Sequence, residues 1–337
     1  MLERIRAALA EVGQTFKDKR VQHCDVAVAE LVGERCVLTG AVLDAETLTA
    51  VSTHLHSQCP QITFHVNDIR VLRQSDNPIL TVQTNLAGLN ARPGRTQEQW
   101  GQLLNGWQVE QLLQEGDWIY VRQPDGYLGW VYGPYLDVLP TPINTHLVAV
   151  PIGLLHNEPL VHAPLVSRVL GGTAVPVNST SGSWSHITLA GGKAGWIDTA
   201  SLRELDTLPL DENGRCQQIV TDALAYIGVP YLWGGISAHG IDCSGLSQLM
   251  YRMVGITLLR DADMQFDAGT PVAPPFQPGD LLFFGSETGH RSISHVGISL
   301  GGWQIIHSSG PRNGVYVDDV EAVDWLRNRF LGARTFL

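Results

Sequence analysis

One pattern of glycine, tryptophan and β-branched residues occurs twice in this 337-residue chain. Gly116-x-Trp118-x-x-Val121, followed by Gly126-x-x-Gly129-Trp130-Val131, returns as Gly182-x-Trp184-x-x-Ile187 and Gly192-x-x-Gly195-Trp196-Ile197. Every matched position is displaced by the same 66 residues, as 184 − 118 shows, with no insertion or deletion. A gapless match of that length means two tandem copies of one supersecondary unit. Short strands interrupted by glycine, with Trp beside Val or Ile, predict small β-barrels whose tryptophans belong mostly to the core.

These two segments resemble bacterial SH3-like (SH3b) domains, in which a Gly-Trp-Val/Ile strand is a common signature. Their bounds are set by Pro140-Thr141-Pro142 between the copies and Leu208-Pro209 after the second. Ahead of them, Ile5, Leu9, Val12 and Phe16 recur at helical spacing, and strand-like runs at 26–31 and 36–43, a helix over 45–55 and a strand at 62–66 follow. That αββαβ order predicts a small α+β domain. The expected organisation is a multidomain α+β protein: residues 1–75 a small α+β domain, 76–140 and 141–208 two SH3-like β-barrels, and 209–337 a C-terminal α+β domain.

The charge balance excludes some partners. A net charge of −11 and a pI near 5.5 leave no basic footprint for nucleic acid or anionic lipid. No run approaches the ~18 apolar residues of a membrane span, and the first residues carry no apolar signal-peptide core. Five cysteines, odd in number and without a C-x-x-C pair, fit reduced thiols, so a cytoplasmic location is expected; an exported chain trimmed of its leader would read the same way.

Chemistry concentrates in the last domain. Cys243 stands in Asp242-Cys243-Ser244-Gly245, ahead of Leu246, Leu249, Met250 and Met253 at the i, i+3, i+4, i+7 spacing of an amphipathic helix. In the first turn of such a helix, unpaired N–H groups and the helix dipole favour thiolate over thiol. His295 and His307 follow on predicted strands, and an imidazole can gain and lose a proton near neutral pH. If Gly301-Gly302 formed a two-residue hairpin loop, His307 would lie opposite Val296 and the two histidines would face opposite sides of the sheet. A three-residue loop or a compensating bulge would instead pair His295 with His307 directly, and that is the expectation. No fourth ligand suits a Cys/His zinc site, so neither metal nor cofactor is expected.

The succession Tyr231-x-Trp233-Gly234-Gly235, Asp242-Cys243-Ser244-Gly245, Pro278-Gly279-Asp280, Ser294-His295-Val296-Gly297-Ile298 and Ile306-His307-Ser308 resembles the NlpC/P60 family of papain-like cysteine peptidases over roughly residues 210–337. The resemblance implies that Cys243 attacks an amide carbonyl, His295 takes and returns the proton, His307 orients that imidazole, and Tyr231 donates to the oxyanion with the Cys243 backbone N–H. Two departures from the family pattern are Leu259 where proline is common and Ser299 where an aromatic is frequent. SH3b modules joined to such a domain resemble the YkfC-type γ-D-glutamyl-L-diamino acid endopeptidases. These act on murein peptides that begin with free L-Ala linked to γ-D-Glu and continue with diaminopimelate or lysine, during cell-wall recycling.

By that match Glu98 and Tyr127 of the first module meet the substrate amine and close the site, beside Asp242 and Ser244. The residues themselves leave alternatives: Glu98 as a solvated loop acid, Tyr127 as a surface aromatic, Asp242 as a helix N-cap. The position equivalent to Tyr127 in the second copy is Lys193, so the copies differ where this role falls. Two other functions fit the same motifs: an exported wall hydrolase whose SH3b modules bind the sacculus, and a peptide-binding protein with a misaligned triad.

Overall fold

The computed structural model describes residues 1–140, 143–285 and 293–337. The chain is a multidomain α+β protein with many antiparallel sheets and few helices. Contacts divide it into two compact units, one of residues 1–79 and 109–130, the other of residues 80–108 and 131–337. This division does not follow the module bounds expected from the repeat, because residues of the first copy fall in both units. Residues 141–142 of the Pro-containing joint lie outside the described residues.

In the first unit, helix Leu2–Thr15, strands Cys24–Val32 and Arg35–Val42, helix Ala45–Gln58 and strand Thr63–Val71 follow in the expected αββαβ order. The first two strands pair antiparallel and the last joins parallel, which its helical crossover permits. Asp44 starts the second helix, its Oδ1 accepting from the Thr47 amide at 2.9 Å. The inward faces of both helices, Ile5, Ala8, Val51 and Leu55, close over Leu38 and Val42. Leu43, Leu72, Leu112, Tyr120, Leu128 and Trp130 form a second core in the same unit.

The 66-residue displacement carries into the backbone. Strands Leu86–Asn90, Gln99–Leu104, Trp118–Arg122 and Leu128–Tyr132 are matched by Ile152–His156, Leu165–Leu170, Trp184–Thr188 and Ala194–Asp198. Gly116 and Gly182 take φ of 55° and 61° in corresponding turns, and Gly106 and Gly172 take 80° and 83°, left-handed values that explain why glycine recurs there. The second copy, wholly inside the second unit, forms a three-stranded and a five-stranded antiparallel sheet around Val148, Leu155, Val169, Val175, Ile187 and Ile197. Its hydrogen bonds do not close a barrel among the described residues. Pro176 has no N–H to donate, and it divides Ala174–Val175, which joins one sheet, from Val177–Ser181, which joins the other. The repeat tryptophans are buried or half-buried; Trp184 and Trp196 pack edge-on against His156 and His186.

The C-terminal part of the second unit is a six-stranded antiparallel sheet in the order Thr270–Val272, Phe330–Thr335, Leu281–Gly285, Ile293–Gly301, Gln304–Ser309, Gly314–Asp319. Helices Glu212–Leu224 and Cys243–Arg252 precede it in sequence and share its core. Leu246, Leu249, Met250 and Met253 are all buried, as their spacing predicts, against a core that includes Val296, Ile298, Ile306 and Val315. Each such side chain contributes about 2 kcal/mol of burial, which fixes the Cys243 helix on the sheet. No helix among the described residues is long and apolar enough to cross a membrane.

Candidate active site

Cys243 is the first residue of its helix, and Asp242 is the N-cap. The Asp242 carboxylate is buried and accepts from five donors. The amides of Gly245 and Gly234 reach it at 2.6 and 2.8 Å, Arg260 binds both oxygens at 3.1 and 2.7 Å, and the Ser244 hydroxyl donates at 3.3 Å. Arg260 also donates to the Ser244 hydroxyl at 2.9 Å. Asp242 is therefore the N-cap that its position predicts, and it also joins the turn before the nucleophile to the loop after the helix. Any substrate amine would meet a carboxylate that is already neutralised by a buried guanidinium.

The two histidines come together, though not in the register expected. Ile298 pairs with Ile306 and Ser299 with Ile305, with an irregularity before Gly301 pairs with Gln304. The hairpin turns at Gly302-Trp303, one residue later than Gly301-Gly302, and the bulge between Ser299 and Gly301 then gives His295 and His307 a common face but leaves them two residues out of direct pairing. His307 lies across from Gly297, where an added Cβ would stand 3.3 Å from the His307 Cβ, and His295 is the diagonal neighbour. Diagonal neighbours on a sheet are within reach of ring side chains. Nε2 of His295 stands 2.7 Å from Nδ1 of His307, with Gly297 leaving room for the ring between them. Phe284 and Trp325 pack against the His295 ring at 5.8 and 5.5 Å between centroids.

The backbone amide of Val296, next to His295, hydrogen-bonds to the Cys243 sulfur, as does the amide of Ser244. With Nε2 of His295 taken by His307, Nδ1 is the ring nitrogen left for the thiol. Burial pushes the Cys243 thiol up to about 12, and the Asp242 carboxylate adds to the rise; the two amides and Arg260 oppose it without prevailing. The amides at the helix N-terminus favour the thiolate, in the direction expected, and desolvation outweighs them. Burial likewise holds His295 well below the ordinary imidazole range, with His307 adding to the depression. Burial thus favours the neutral form of both groups, from which a thiol proton can pass to an imidazole during attack.

Tyr231 bridges to Ile241 two residues before the cysteine. Burial raises its phenol well above the usual range, and Cys243 and Asp242 raise it further, so the hydroxyl keeps its proton and can donate. Glu98 is exposed, immediately before the strand Gln99–Leu104. Gln99 of that strand donates to the Trp233 carbonyl at 3.1 Å, and Gln102 accepts from the Ile236 amide at 3.0 Å. Gly234 approaches so closely that a Cβ there would lie 2.7 Å from the Gln99 carbonyl oxygen. Tyr127 belongs to the first unit, where it is 2% exposed and its amide donates to Asp125 at 3.0 Å.

Two members of the constellation escape the sequence reading. Nε2 of His307 lies 2.9 Å from Asp318, and Arg312 binds both oxygens of that carboxylate. Tyr316 pairs with His307, so Asp318 is again a diagonal neighbour one strand over. The signal that could find it is the period-2 alternation from Tyr316 to Asp318, once the turn between the strands is known. Among the described residues no group of three or more His, Cys, Asp or Glu is placed to hold a metal ion.

A model of the NlpC/P60 family matches residues 228–335. Dipeptidyl-peptidase 6 of Lysinibacillus sphaericus is 31% identical over 254 residues, which cover 70% of this chain and 89% of that protein. The gamma-D-glutamyl-L-lysine dipeptidyl-peptidase of Bacillus subtilis (strain 168) is 29% identical over 230 residues, covering 64% and 74%. The crystal structure of an NlpC/P60 family protein from Bacillus cereus ATCC 10987 superposes with a TM-score of 0.68 at 23% identity, covering 77% of this chain and 99% of that one.

Proposed function

Since the chain belongs to the NlpC/P60 family of cysteine peptidases, we propose that it hydrolyses the bond between γ-D-Glu and the diamino acid in short murein peptides that begin with free L-Ala. Cys243 attacks the amide carbonyl while its proton passes to Nδ1 of His295. Tyr231 and the Cys243 backbone N–H steady the oxyanion, an arrangement in which one well-aimed donor is worth about 3 kcal/mol. His295 then returns the proton to the leaving amine, and water releases the acyl group from sulfur.

The observation that carries the substrate reading is the junction of the Gln99–Leu104 strand with the Trp233–Ile236 segment, held by Gln99, Gln102 and the close approach of Gly234. A strand of the first repeat copy built against the residues just before the nucleophile suits a wall that limits substrate length. Glu98 at the head of that strand is the carboxylate available to the L-Ala ammonium, with Asp242 and Ser244 beside the thiol shaping the same end. The names of the Bacillus subtilis and Lysinibacillus sphaericus relatives support a dipeptide-releasing reaction. The repeat modules are read as SH3b-type units serving this wall, and five free cysteines support action in the reducing cytoplasm, on peptides returned for recycling.

Incubation with L-Ala-γ-D-Glu-diaminopimelate, with its lysine counterpart, with an N-acetylated version and with intact sacculi tests the reading. Cleavage of the free peptides, lost in Cys243→Ala, is expected. Equal cleavage of the acetylated peptide, or release of fragments from sacculi, would overturn the substrate assignment.

A further inference from the structure

Four polar side chains run in a line outward from the nucleophile: His295, His307, Asp318 and Arg312. Each of the first three sits on its own strand and reaches the next by one diagonal step, so all share one face of the sheet. We propose that Asp318, held by Arg312, is a positioning residue that sets the proton arrangement of both imidazoles and so leaves Nδ1 of His295 bare to accept the Cys243 proton.

What each atom can donate or accept fixes the proton positions. Burial would raise the Asp318 carboxyl, but hydrogen bonds from His307 and Arg312 outweigh it and hold the group below the usual carboxylate range. An ionised carboxylate only accepts, so Nε2 of His307, 2.9 Å away, must carry a proton. Burial lowers His307 as well, with Arg312 opposing and Asp318 favouring its charge, and the ring is neutral. A neutral imidazole protonated on Nε2 has a lone pair on Nδ1. That lone pair faces Nε2 of His295 at 2.7 Å, so this nitrogen is the donor and carries the His295 proton. Nδ1 of His295 is then the base. Without the carboxylate, His307 could present a proton on Nδ1. His295 would have to turn its lone pair toward it, and its own proton would face the thiol.

The chain of contacts is well held at its far end. Asp318 is 12% exposed and His307 is fully buried, while Arg312 stacks 4.1 Å above the ring of Tyr316, the residue directly across from His307. Arg312, itself exposed, thus aims the carboxylate from the solvent side.

The test is nitrogen-15 NMR of histidine-labelled whole chain, the two rings being assigned with His295→Gln and His307→Gln. In the wild type both should be neutral with the proton on Nε2; a proton on Nδ1 of either ring would overturn the proposal. In Asp318→Asn the amide oxygen should turn to Arg312 and its NH2 toward His307, shifting the proton of both rings to Nδ1. On the proposed amide substrate, kcat should then fall about 10²-fold with KM changed less than twofold, a smaller loss than when the carboxylate contacts the base itself. Arg312→Gln, which keeps the carboxylate, should lose less than tenfold. An Asp318→Asn chain that keeps kcat within threefold, or keeps the wild-type NMR pattern, would refute the relay. If the wild type cuts no murein peptide, the substrate reading fails while the NMR pattern still decides this one.

Discussion

Ionisation of Cys243 can be read directly, as the thiolate absorbance lost between the wild-type chain and Cys243→Ser. An ordinary cysteine with its midpoint at 9.0 is half ionised at that pH, whereas burial and the neighbouring Asp242 carboxylate move this one to about 12. That rise is worth about 4 kcal/mol against the thiolate, and it leaves only ~10⁻³ of the sulfur ionised near pH 9 and ~10⁻⁵ near pH 7. The difference signal should therefore stay near zero across the neutral range and begin to grow only in strong alkali. The Ser variant cancels the four other cysteines and the tyrosines. Cys243 is 9% exposed, so solvent screening takes little from the figure. A thiolate plateau between about pH 5 and 8 would mean a resting thiolate–imidazolium pair and refute the reasoning, because the helix dipole and two amides would then have outweighed desolvation.

Two further outcomes follow from the buried charges. Arg260→Met strands the Asp242 carboxylate in a pocket where both partners are nearly inaccessible, and should cost about 3–5 kcal/mol in denaturation of the whole chain; a loss under about 1 kcal/mol would show that the amides of Gly234 and Gly245 suffice. His295 and His307 are both depressed in the folded chain, so the unfolded chain binds more protons below its imidazole value of 6.5. Their stability contribution should be complete above that pH and fall away through each folded value as pH drops, and replacing both with Gln should flatten the acid limb of a melting-temperature profile.

The sequence reveals the site unevenly, for physical reasons. Cys243, Asp242 and the apolar stripe behind them are local: an N-cap and a helical period lie within a dozen residues, and the structure places them as read. The histidines depend on strand register, which one extra residue shifts. The bulge before Gly301 gave the right face and the wrong partner, so His307 lies across from Gly297 and not from His295. Asp318 lies beyond a second turn, Gly310–Asn313, in which Asn313 takes a φ of 53°; such a turn's length and handedness fix the next strand's register but have no period to read. The repeat was legible because identical spacing reports identical backbone, down to paired glycines. The division of its strands between two sheets falls at Pro176, a residue outside the matched motif.

Two independent constraints converge on the sulfur, and their coupling explains why the site tolerates a diagonal arrangement. The helix fixes Cys243 through Asp242, Arg260 and the Gly234 and Gly245 amides. The sheet fixes the imidazoles through register. The two are tied by residues adjacent to the histidines: Val296 gives its amide to the sulfur, and Ser308 gives its hydroxyl to the Ile241 carbonyl at 2.7 Å. The Val296 tie is a backbone amide in the plane of the sheet, while the Ser308 side chain leaves the face opposite to His307, as the pleat requires. A displacement of the helix along the sheet would therefore break both ties together, and the distance from thiol to base is held by backbone and hydroxyl groups that take no part in the proton transfer.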